Sequence, residues 1–292
     1  MDIADIIGEL AHPYPSGGGV VEYFLVRVAP KEYKLLLFLP YSPFTKNPEG
    51  YTNLDAYYVA SNTLYHTQKA IIAKLASFGA QSDYNDIKSE FERLGCGVRL
   101  HTTLIAIPPY GTKVALAIVS LKGEFLEHKV AFSATCDNCG RCVAACPSGG
   151  ISATNFTRAL CLRDAMDNYQ HTKLNLAPLS GSILGCDRCQ SVCPQNSAIA
   201  STETPAKLLE MLSFKWLSHA FKSGKKGLMP LAEFMGANYI RPNRIAFFAI
   251  NSVTQQCDSY FLQQFFDNAD PTIANAAKAQ YLSLNKDNNL QN

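Results

Sequence analysis

Short apolar runs and one long helical repeat alternate along residues 1–135. The run Lys34–Leu39 is apolar after its first residue and stops at Pro40, which predicts a buried strand. Apolar residues then recur at helix-like spacing through Leu54–Gly79, and the final glycine is typical of a helix terminus. This pattern predicts a strand followed by a long helix.

Two further apolar stretches, Leu104–Ile107 and Val114–Leu121, stand on either side of a Pro-Pro-Tyr-Gly sequence. Runs of this length around such residues predict two strands joined by a turn. Because strands and helices alternate here, we predict that residues 1–135 form an α/β domain.

Apolar periodicity is weak in residues 136–204 and returns in residues 205–292, where helical spacing dominates. The helical stretches are Leu208–Leu217, Leu231–Phe234, Ile245–Val253, Phe261–Phe266 and Ile273–Leu282. Asp270-Pro271 begins the last of them, with proline in the first turn, where it is tolerated. The chain is therefore predicted to contain an N-terminal domain, a cysteine-rich segment and a helical tail, in the α+β class.

The composition narrows the class of protein. The chain has 292 residues, of which 47% are hydrophobic and 17% charged, and this excludes disordered, collagen-like and coiled-coil chains. The formal net charge of +2 gives no whole-chain argument for binding nucleic acid or a membrane surface. The ten cysteines are the unusual feature, since they indicate disulfides, metal or redox chemistry.

The expected cellular compartment helps to choose among disulfides, metal binding and redox chemistry. The N-terminus is acidic and has no basic and apolar segments of a secretory signal, and no apolar run approaches the ~18 residues that span a bilayer. We therefore expect a soluble cytoplasmic protein with no membrane partner. Thiols stay reduced there, so clustered cysteines more often hold metal.

The first cysteine group has the spacing of bacterial-type [4Fe–4S] proteins. Cys136, Cys139, Cys142 and Cys146, followed by Pro147, form the pattern C-x2-C-x2-C-x3-C-P. Two-residue spacers let a tight loop present three thiolates to one cube. In proteins with two clusters, the fourth cysteine ligates the other cluster.

The second group, Cys186, Cys189 and Cys193 before Pro194, has the same ending with one cysteine fewer. Two cubes need eight thiolates, and the two groups supply seven. The candidates for the eighth ligand are Cys96, Cys161 and Cys257. We favour Cys161 because it lies between the groups, in a short helix-like piece.

The exchange of fourth ligands then gives an assignment. Cluster 1 is predicted to be held by Cys136, Cys139, Cys142 and Cys193. Cluster 2 is predicted to be held by Cys146, Cys161, Cys186 and Cys189. Cys96 and Cys257 remain as small core residues. Zinc is the alternative, since paired C-x2-C sequences also form four-cysteine zinc sites, but zinc would not need the third cysteine before Cys146.

The order of these motifs resembles the epoxyqueuosine reductase family. The second group stands in residues 185–196 as G-C-D-R-C-Q-S-V-C-P-Q-N, after a first group of four cysteines and the lone Cys161. Downstream, residues 239–244 (Y-I-R-P-N-R) and 267–277 are similar to the family's stretch of HEAT-like helices. The resemblance covers roughly residues 136–282.

Members of this family are cobalamin-dependent reductases that remove the epoxide oxygen of epoxyqueuosine in tRNA, and reductive dehalogenases share their plan. The resemblance implies a corrinoid-type N-terminal domain (1–135), a ferredoxin-like double-cluster domain (136–204) and a HEAT-like tail (205–292). It also implies cobalamin as a cofactor, tRNA as a partner, and an electron donor such as ferredoxin or flavodoxin. The family's proton-donating aspartate falls near Asp83 and Asp86, and neither is assigned as the catalytic residue.

Two questions stay open at this stage. The basic residues Lys225, Lys226, Arg241 and Arg244 are candidates for contacts with RNA phosphates, and a solvated basic face is the alternative. The N-terminal region is several tens of residues shorter than is typical of the family. A non-catalytic, ferredoxin-like electron-transfer protein without the corrinoid site is therefore the alternative function.

Overall fold

The structure is a computed structural model that describes residues 3–10, 20–128, 135–174, 176 and 181–289. Among these residues, four strands form one sheet in the order β1-β2-β6-β3, and β4 and β5 pair separately. The strands are β1 (Glu22–Ala29), β2 (Glu32–Pro40), β3 (Gln81–Ser82), β4 (Val98–Arg99), β5 (Ile105–Ala106) and β6 (Val114–Lys122). Every pairing between them is antiparallel. The mixture of helices and strands confirms the mixed α and β class.

The central strand β2 confirms the strand predicted at Lys34–Leu39. Its residues from 35 to 39 are at most 2% exposed. Leu35, Leu37 and Leu39 pack in the main core, whereas Leu36 and Phe38 point to the opposite face and a second apolar cluster. A strand buried on both faces explains the uninterrupted apolar run.

The two strands predicted around the Pro-Pro-Tyr-Gly turn form, as β5 and β6, but they do not pair with each other. β5 pairs with β4, and β6 pairs with β2 and β3. Both predicted strands are therefore confirmed, but they lie in different sheets. The turn instead carries the chain from one sheet to the other, and its carboxyl end contacts the cysteine-rich segment.

Three helices belong to the N-terminal region: α1 (Ile3–Leu10), α2 (Ala56–Lys74) and α3 (Ile87–Arg93). The predicted long helix is confirmed by α2, which packs on β2 and β6. Asp55 caps its N-terminus by accepting a hydrogen bond from the backbone N–H of Tyr57 (3.0 Å). A 3-10 turn, Ala76–Phe78, follows α2 and ends at Gly79, which has a φ of 63°.

The helices in the described part of the cysteine-rich segment are all short. They are α4 (Arg141–Ala145), α5 (Leu162–Ala165) and α6 (Arg188–Ser191), with 3-10 turns at Arg158–Leu160, Met166–Asn168 and Pro194–Asn196. Two apolar contacts anchor the segment. Leu162 and Met166 pack against Phe248, and Ile183 and Leu184 enter the main core.

The C-terminal region is helical, as predicted. Its helices are α7 (Ala206–Met211), α8 (Phe214–Phe221), α9 (Gly224–Leu228), α10 (Ala232–Met235), α11 (Pro242–Ile250), α12 (Ser259–Gln263) and α13 (Pro271–Asn289), with 3-10 turns at Met229–Leu231, Ala237–Tyr239 and Gln256–Asp258. The predicted start of the last helix is confirmed, since Asp270 accepts a hydrogen bond from the N–H of Thr272 (2.9 Å). The HEAT-like arrangement and the three-domain division stay predictions.

The main apolar core runs continuously from the sheet through α2 to the C-terminal helices. Tyr58 on α2, for example, packs edge-to-face on Tyr239. None of the described helices combines the length and the apolar character needed to cross a membrane.

Candidate redox site

A cavity of about 370 Å³ is lined by Cys136, Cys139, Cys142 and Cys193; we call it the outer cavity. Cys136 and Cys139 come from the loop before α4, Cys142 lies in α4 itself, and Cys193 comes from the second group. Cys139 is exposed, whereas the other three are half-buried. These are the residues that the sequence assigns to cluster 1.

The loop around the outer cavity is shaped by two residues with positive φ. Asn138 has a φ of 48° and Gly140 a φ of 74°. Gly140 caps α4, and its carbonyl accepts a hydrogen bond from the N–H of Ala144. This tight turn directs three thiols to one side.

A larger cavity, of about 540 Å³, is lined on one side by Cys146, Cys161, Cys186 and Cys189; we call it the inner cavity. Cys161 lies between the 3-10 turn Arg158–Leu160 and α5, for which it is the N-cap residue. This position brings Cys161 to the same cavity as the C-x2-C pair of the second group. Cys96 and Cys257 line neither cavity.

The thiols of each cavity interact with one another. Burial raises the pKa of Cys189 to about 12 and that of Cys186 to about 11, and Cys161 acts on both in the same direction. Burial also raises the pKa of Cys193, and the three thiols of the first group add to that shift. The thiols therefore need a positive charge in order to ionise together, and bound iron supplies such a charge.

No three His, Cys, Asp or Glu side chains among the described residues converge closely enough to hold a single metal ion. The cysteines instead surround the two cavities. The cavities adjoin, since Thr102 lines both of them.

The two remaining cysteines differ from each other. Cys96 is fully buried, and burial raises its pKa to about 12, in agreement with its predicted place in the core. Cys257 is exposed, so its predicted core position is wrong. It lies on a surface turn before α12, where Phe261 and Leu262 take the buried positions.

Polar contacts from the start of β6 hold the second cysteine group. The N–H of Thr112 donates to Oδ1 of Asn196 (2.8 Å), and Nε2 of Gln190 donates to the carbonyl of Thr112 (2.9 Å). All three residues are buried. This clamp positions the loop that carries Cys189 and Cys193.

An ion pair formed by a buried lysine and a close backbone approach complete the clamp. The Nζ atom of Lys113, which is 2% exposed, lies 2.9 Å from Oδ2 of Asp187, between Cys186 and Cys189. A Cβ atom at Gly111 would lie 2.3 Å from the carbonyl oxygen of Gln195. Glycine is thus required for the two segments to touch.

Comparison with known protein families identifies the segment. Residues 135–196 match the 4Fe-4S double cluster binding domain. Epoxyqueuosine reductase of Listeria monocytogenes is 33% identical over 112 residues, which cover 36% of this chain and 28% of that protein. The corresponding enzyme of Bacillus subtilis is 30% identical over 108 residues, with the same two shares. Over this part of the chain, the protein is similar to epoxyqueuosine reductases. Each match spans little more than a quarter of the relative's own length.

Solved structures of epoxyqueuosine reductases share the fold over a longer range. The Streptococcus thermophilus protein has a TM-score of 0.65 at 18% identity and covers 87% of this chain and 74% of its own. A second epoxyqueuosine reductase, solved with an epoxyqueuosine-modified tRNA-Tyr stem loop, has a TM-score of 0.63 at 18% identity and covers 85% and 72%. The likeness therefore includes the N-terminal sheet, beyond the cysteine-rich segment.

The walls of the inner cavity suit the corrinoid that the epoxyqueuosine reductases led us to expect. Besides the cysteines and six charged residues, the lining includes three threonines and several apolar or aromatic side chains: Tyr57, Tyr58, Thr102, Thr103, Leu104, Ile105, Thr112, Val114, Leu116 and Phe156. A flat macrocycle with apolar faces and amide side chains needs such walls and a few polar contacts at its edge. The described residues therefore fit the group.

The expected proton-donor positions lie elsewhere. Asp83 pairs with Nζ of Lys34 (3.0 Å), Asp86 caps α3, and neither belongs to the lining of the inner cavity. Asp55 does line it, and burial raises the pKa of this carboxyl. Sequence reasoning did not single out Asp55, so its place at the cavity was missed.

The structure separates the four predicted RNA-contacting residues. Lys225 and Lys226 on α9 are exposed. Arg241 is also accessible and lies 3.5 Å from Asp167. Arg244 is 2% exposed and donates to Asp167 and to the carbonyl of Tyr239. The prediction that Arg244 contacts RNA is therefore wrong, because its guanidinium is used inside the protein.

Proposed function

We propose that this protein is a corrinoid-dependent iron–sulfur reductase that removes the oxygen of an epoxide carried by tRNA. One observation carries the proposal: eight cysteines divide four and four around two adjoining cavities, and apolar and aromatic side chains also line the inner cavity. The relationship to epoxyqueuosine reductases and the shared fold support the choice of substrate class.

The proposed ligands follow the lining of the cavities. Cys136, Cys139, Cys142 and Cys193 would hold cluster 1, and Cys146, Cys161, Cys186 and Cys189 would hold cluster 2. When bound, the clusters and the corrinoid supply one-electron transfer and cobalt-centred reduction. The chain supplies the thiolates, the clamp from β6 and the apolar walls.

The overall reaction requires two electrons and two protons. Both carbon–oxygen bonds of the epoxide break, a carbon–carbon double bond forms, and the oxygen leaves as water. We assign the electrons to an external one-electron donor such as reduced ferredoxin or flavodoxin. Cys139 makes the outer cavity the accessible side for that donor.

The protein's own contribution is to bind, to orient and to exclude water. Apolar side chains from β5 and β6 line one wall, and the polar clamp at Thr112 fixes the second cysteine group against that wall. Lys225, Lys226 and Arg241 remain proposed contacts for the tRNA backbone, which would position the substrate without reading its sequence. We expect this activity in the cytoplasm.

The deciding experiment is anaerobic purification, followed by metal analysis, cobalamin titration and an activity assay. We expect about eight irons per chain, uptake of cobalamin seen in its absorption spectrum, and reduction of an epoxyqueuosine-containing tRNA stem loop. Eight irons without corrinoid uptake would leave an electron-transfer protein instead. Zinc in place of iron would contradict both functions.

A further inference from the structure

The inner cavity carries more positive than negative side chains. Its lining contains four basic residues, Lys88, Arg158, Arg163 and Arg188, and two acidic ones, Asp55 and Asp164. A surplus of cations in a partly enclosed site attracts anionic ligands. Which of these charges is available depends on how each is paired inside the protein.

Two of the arginines are already engaged. The Nε atom of Arg158 lies 2.7 Å from Oδ1 of Asp164. Arg163 lies 3.4 Å from Asp167 and stacks over the ring of Tyr58 at 4.9 Å. Both arginines therefore have partners within the fold.

Lys88 differs from these arginines. It is half-buried at the start of α3, and its ammonium group makes no hydrogen bond or ion pair with any described residue. Burial lowers its pKa, and the neighbouring Arg99 and Arg158 add to the effect. Arg99 itself is held by Glu92 and Ser89. Asp86 and Cys161 act on the pKa of Lys88 in the opposite direction, but the Asp86 carboxylate accepts hydrogen bonds from Ser89 and caps α3. Lys88 is thus a partly desolvated cation next to other cations, without a directly bonded carboxylate among the described residues.

We propose that Lys88 anchors a subsite for a phosphodiester group in the inner cavity. An unpaired cation in a partly buried position is costly unless a ligand supplies the opposite charge. Lysine is a common phosphate-binding residue, and charge-assisted hydrogen bonds to phosphate are strong. This inference rests on the proposed function, in which two ligands bring a phosphodiester: the nucleotide loop of cobalamin and the backbone of RNA.

The test compares Lys88→Met with Lys88→Arg, which keeps the charge, and with Lys69→Met. Lys69 lies on the exposed side of α2 over the ring of Tyr65, so its loss changes the net charge equally outside the cavity. Cluster-loaded protein is titrated with cobalamin, with cobinamide, which lacks the nucleotide loop, and with a fluorescent epoxyqueuosine stem loop. We expect Lys88→Met to weaken one phosphodiester ligand about tenfold or more. The two control variants should stay close to wild type.

The arms distinguish the two sources of phosphate. If the subsite takes the cofactor's phosphate, Lys88→Met weakens cobalamin but not cobinamide. If it takes the RNA backbone, the variant weakens the stem loop and leaves cobalamin unchanged. Unchanged binding of all three ligands overturns the proposal. So does a shifted reduction midpoint of one cluster with unchanged binding, because the charge of Lys88 would then act on the cluster.

A further measurement separates this inference from the proposed function. Wild-type protein that binds neither cobalamin nor RNA would contradict the proposed function. In that case the rate at which Lys88 is acetylated, followed by mass spectrometry, is compared in phosphate and in chloride at equal ionic strength. Selective protection of Lys88 by phosphate supports the subsite, and equal rates overturn it.

Discussion

The central strand β2 and the cysteine-rich segment are built in opposite ways. Residues 35–39 of β2 are at most 2% exposed and pack into apolar clusters on both faces. In the segment, seven of the eight cysteines are half-buried, one is exposed, and the described helices have four or five residues. The sheet is stabilised by apolar burial. The cysteine-rich segment is held where it contacts the rest of the protein, and thiols line the two cavities within it.

The contacts between the cysteine-rich segment and the rest of the protein are nevertheless well defined. Leu162 and Met166 dock on Phe248, and Thr112 clamps the second cysteine group. Metal ligation should therefore complete a partly organised scaffold rather than fold a free loop. The following experiments test this difference between the two regions, beginning with the largest expected effect.

Removal of iron should separate the two regions most clearly. Anaerobic chelation is expected to abolish much of the hydrogen-exchange protection in residues 136–196, because metal ligation contributes folding free energy there. Protection of β2 and β6 should persist. Hydrogen exchange with mass spectrometry measures both regions in one sample. Equal loss of protection in the sheet would show that the regions unfold together.

Loss of a single ligand should affect one cluster. Cys161→Ser is expected to retain about four of the roughly eight irons, and the matched variant Cys257→Ser, at an exposed cysteine, should retain them all. Iron analysis and electron paramagnetic resonance spectra of the reduced protein distinguish these outcomes. Two intact clusters in Cys161→Ser would mean that another residue is the eighth ligand.

Much of the difference between β2 and the cysteine-rich segment could be predicted from sequence, because each region has a strong local pattern. The apolar run at Lys34–Leu39 predicted β2, and the cysteine spacing predicted two groups of ligands. The pairing of β5 with β4 was missed because two-residue strands leave almost no local pattern. The burial of Arg244 was missed because its partner Asp167 is 77 positions away in the chain.

The site was also only partly predictable. The four cysteines around each cavity agree with the sequence-based grouping, although the ligation itself stays a prediction. Nothing in the local sequence places Asp55 or Lys88 at the inner cavity, since each reaches it only through contacts between distant parts of the chain. Cys257 was misplaced because a cysteine has no local signal that separates a surface turn from the core.

A cavity in the sheet should destabilise the protein without changing its iron content. Leu36 is fully buried in β2, so Leu36→Ala is expected to lower the free energy of unfolding by about 2–5 kcal/mol. Urea unfolding followed by circular dichroism measures the change. Iron content measured before unfolding should match wild type. A loss of iron would show that packing within the sheet also stabilises the iron sites of the cysteine-rich segment.

The contact between the two regions should respond to one added methyl group. At Gly111, with a φ of 55°, a Cβ atom would lie 2.3 Å from the backbone of Gln195, so Gly111→Ala should destabilise the protein by about 1–3 kcal/mol and speed the loss of iron. Gly79→Ala is the matched control, because its φ of 63° is also positive but no atom lies within 4 Å of the added methyl, and it lines neither cavity. Equal effects would mean that backbone strain alone is responsible.

The smallest expected effect is the pH dependence of the charged contact between β2 and α3. Hydrogen bonds from Arg93 and then Lys34 lower the pKa of Glu90 to about 2. A carboxylate with a lowered pKa stabilises the fold above its unfolded pKa, near 4.5, and loses that contribution as the pH falls towards 2. Glu90→Gln should therefore cost roughly 1 kcal/mol at pH 6, after allowance for solvent screening, and less at pH 3.

Urea unfolding of the iron-free protein at both pH values measures this difference without interference from acid-labile clusters. Glu124→Gln is the matched control, since Glu124 forms an exposed ion pair with Lys31. Its unfolding free energy should follow wild type at both pH values. A Glu90→Gln difference that stays constant from pH 6 to pH 3 would show that the carboxylate charge does not stabilise the sheet. Apolar burial would then account for the stability of β2 without help from Lys34.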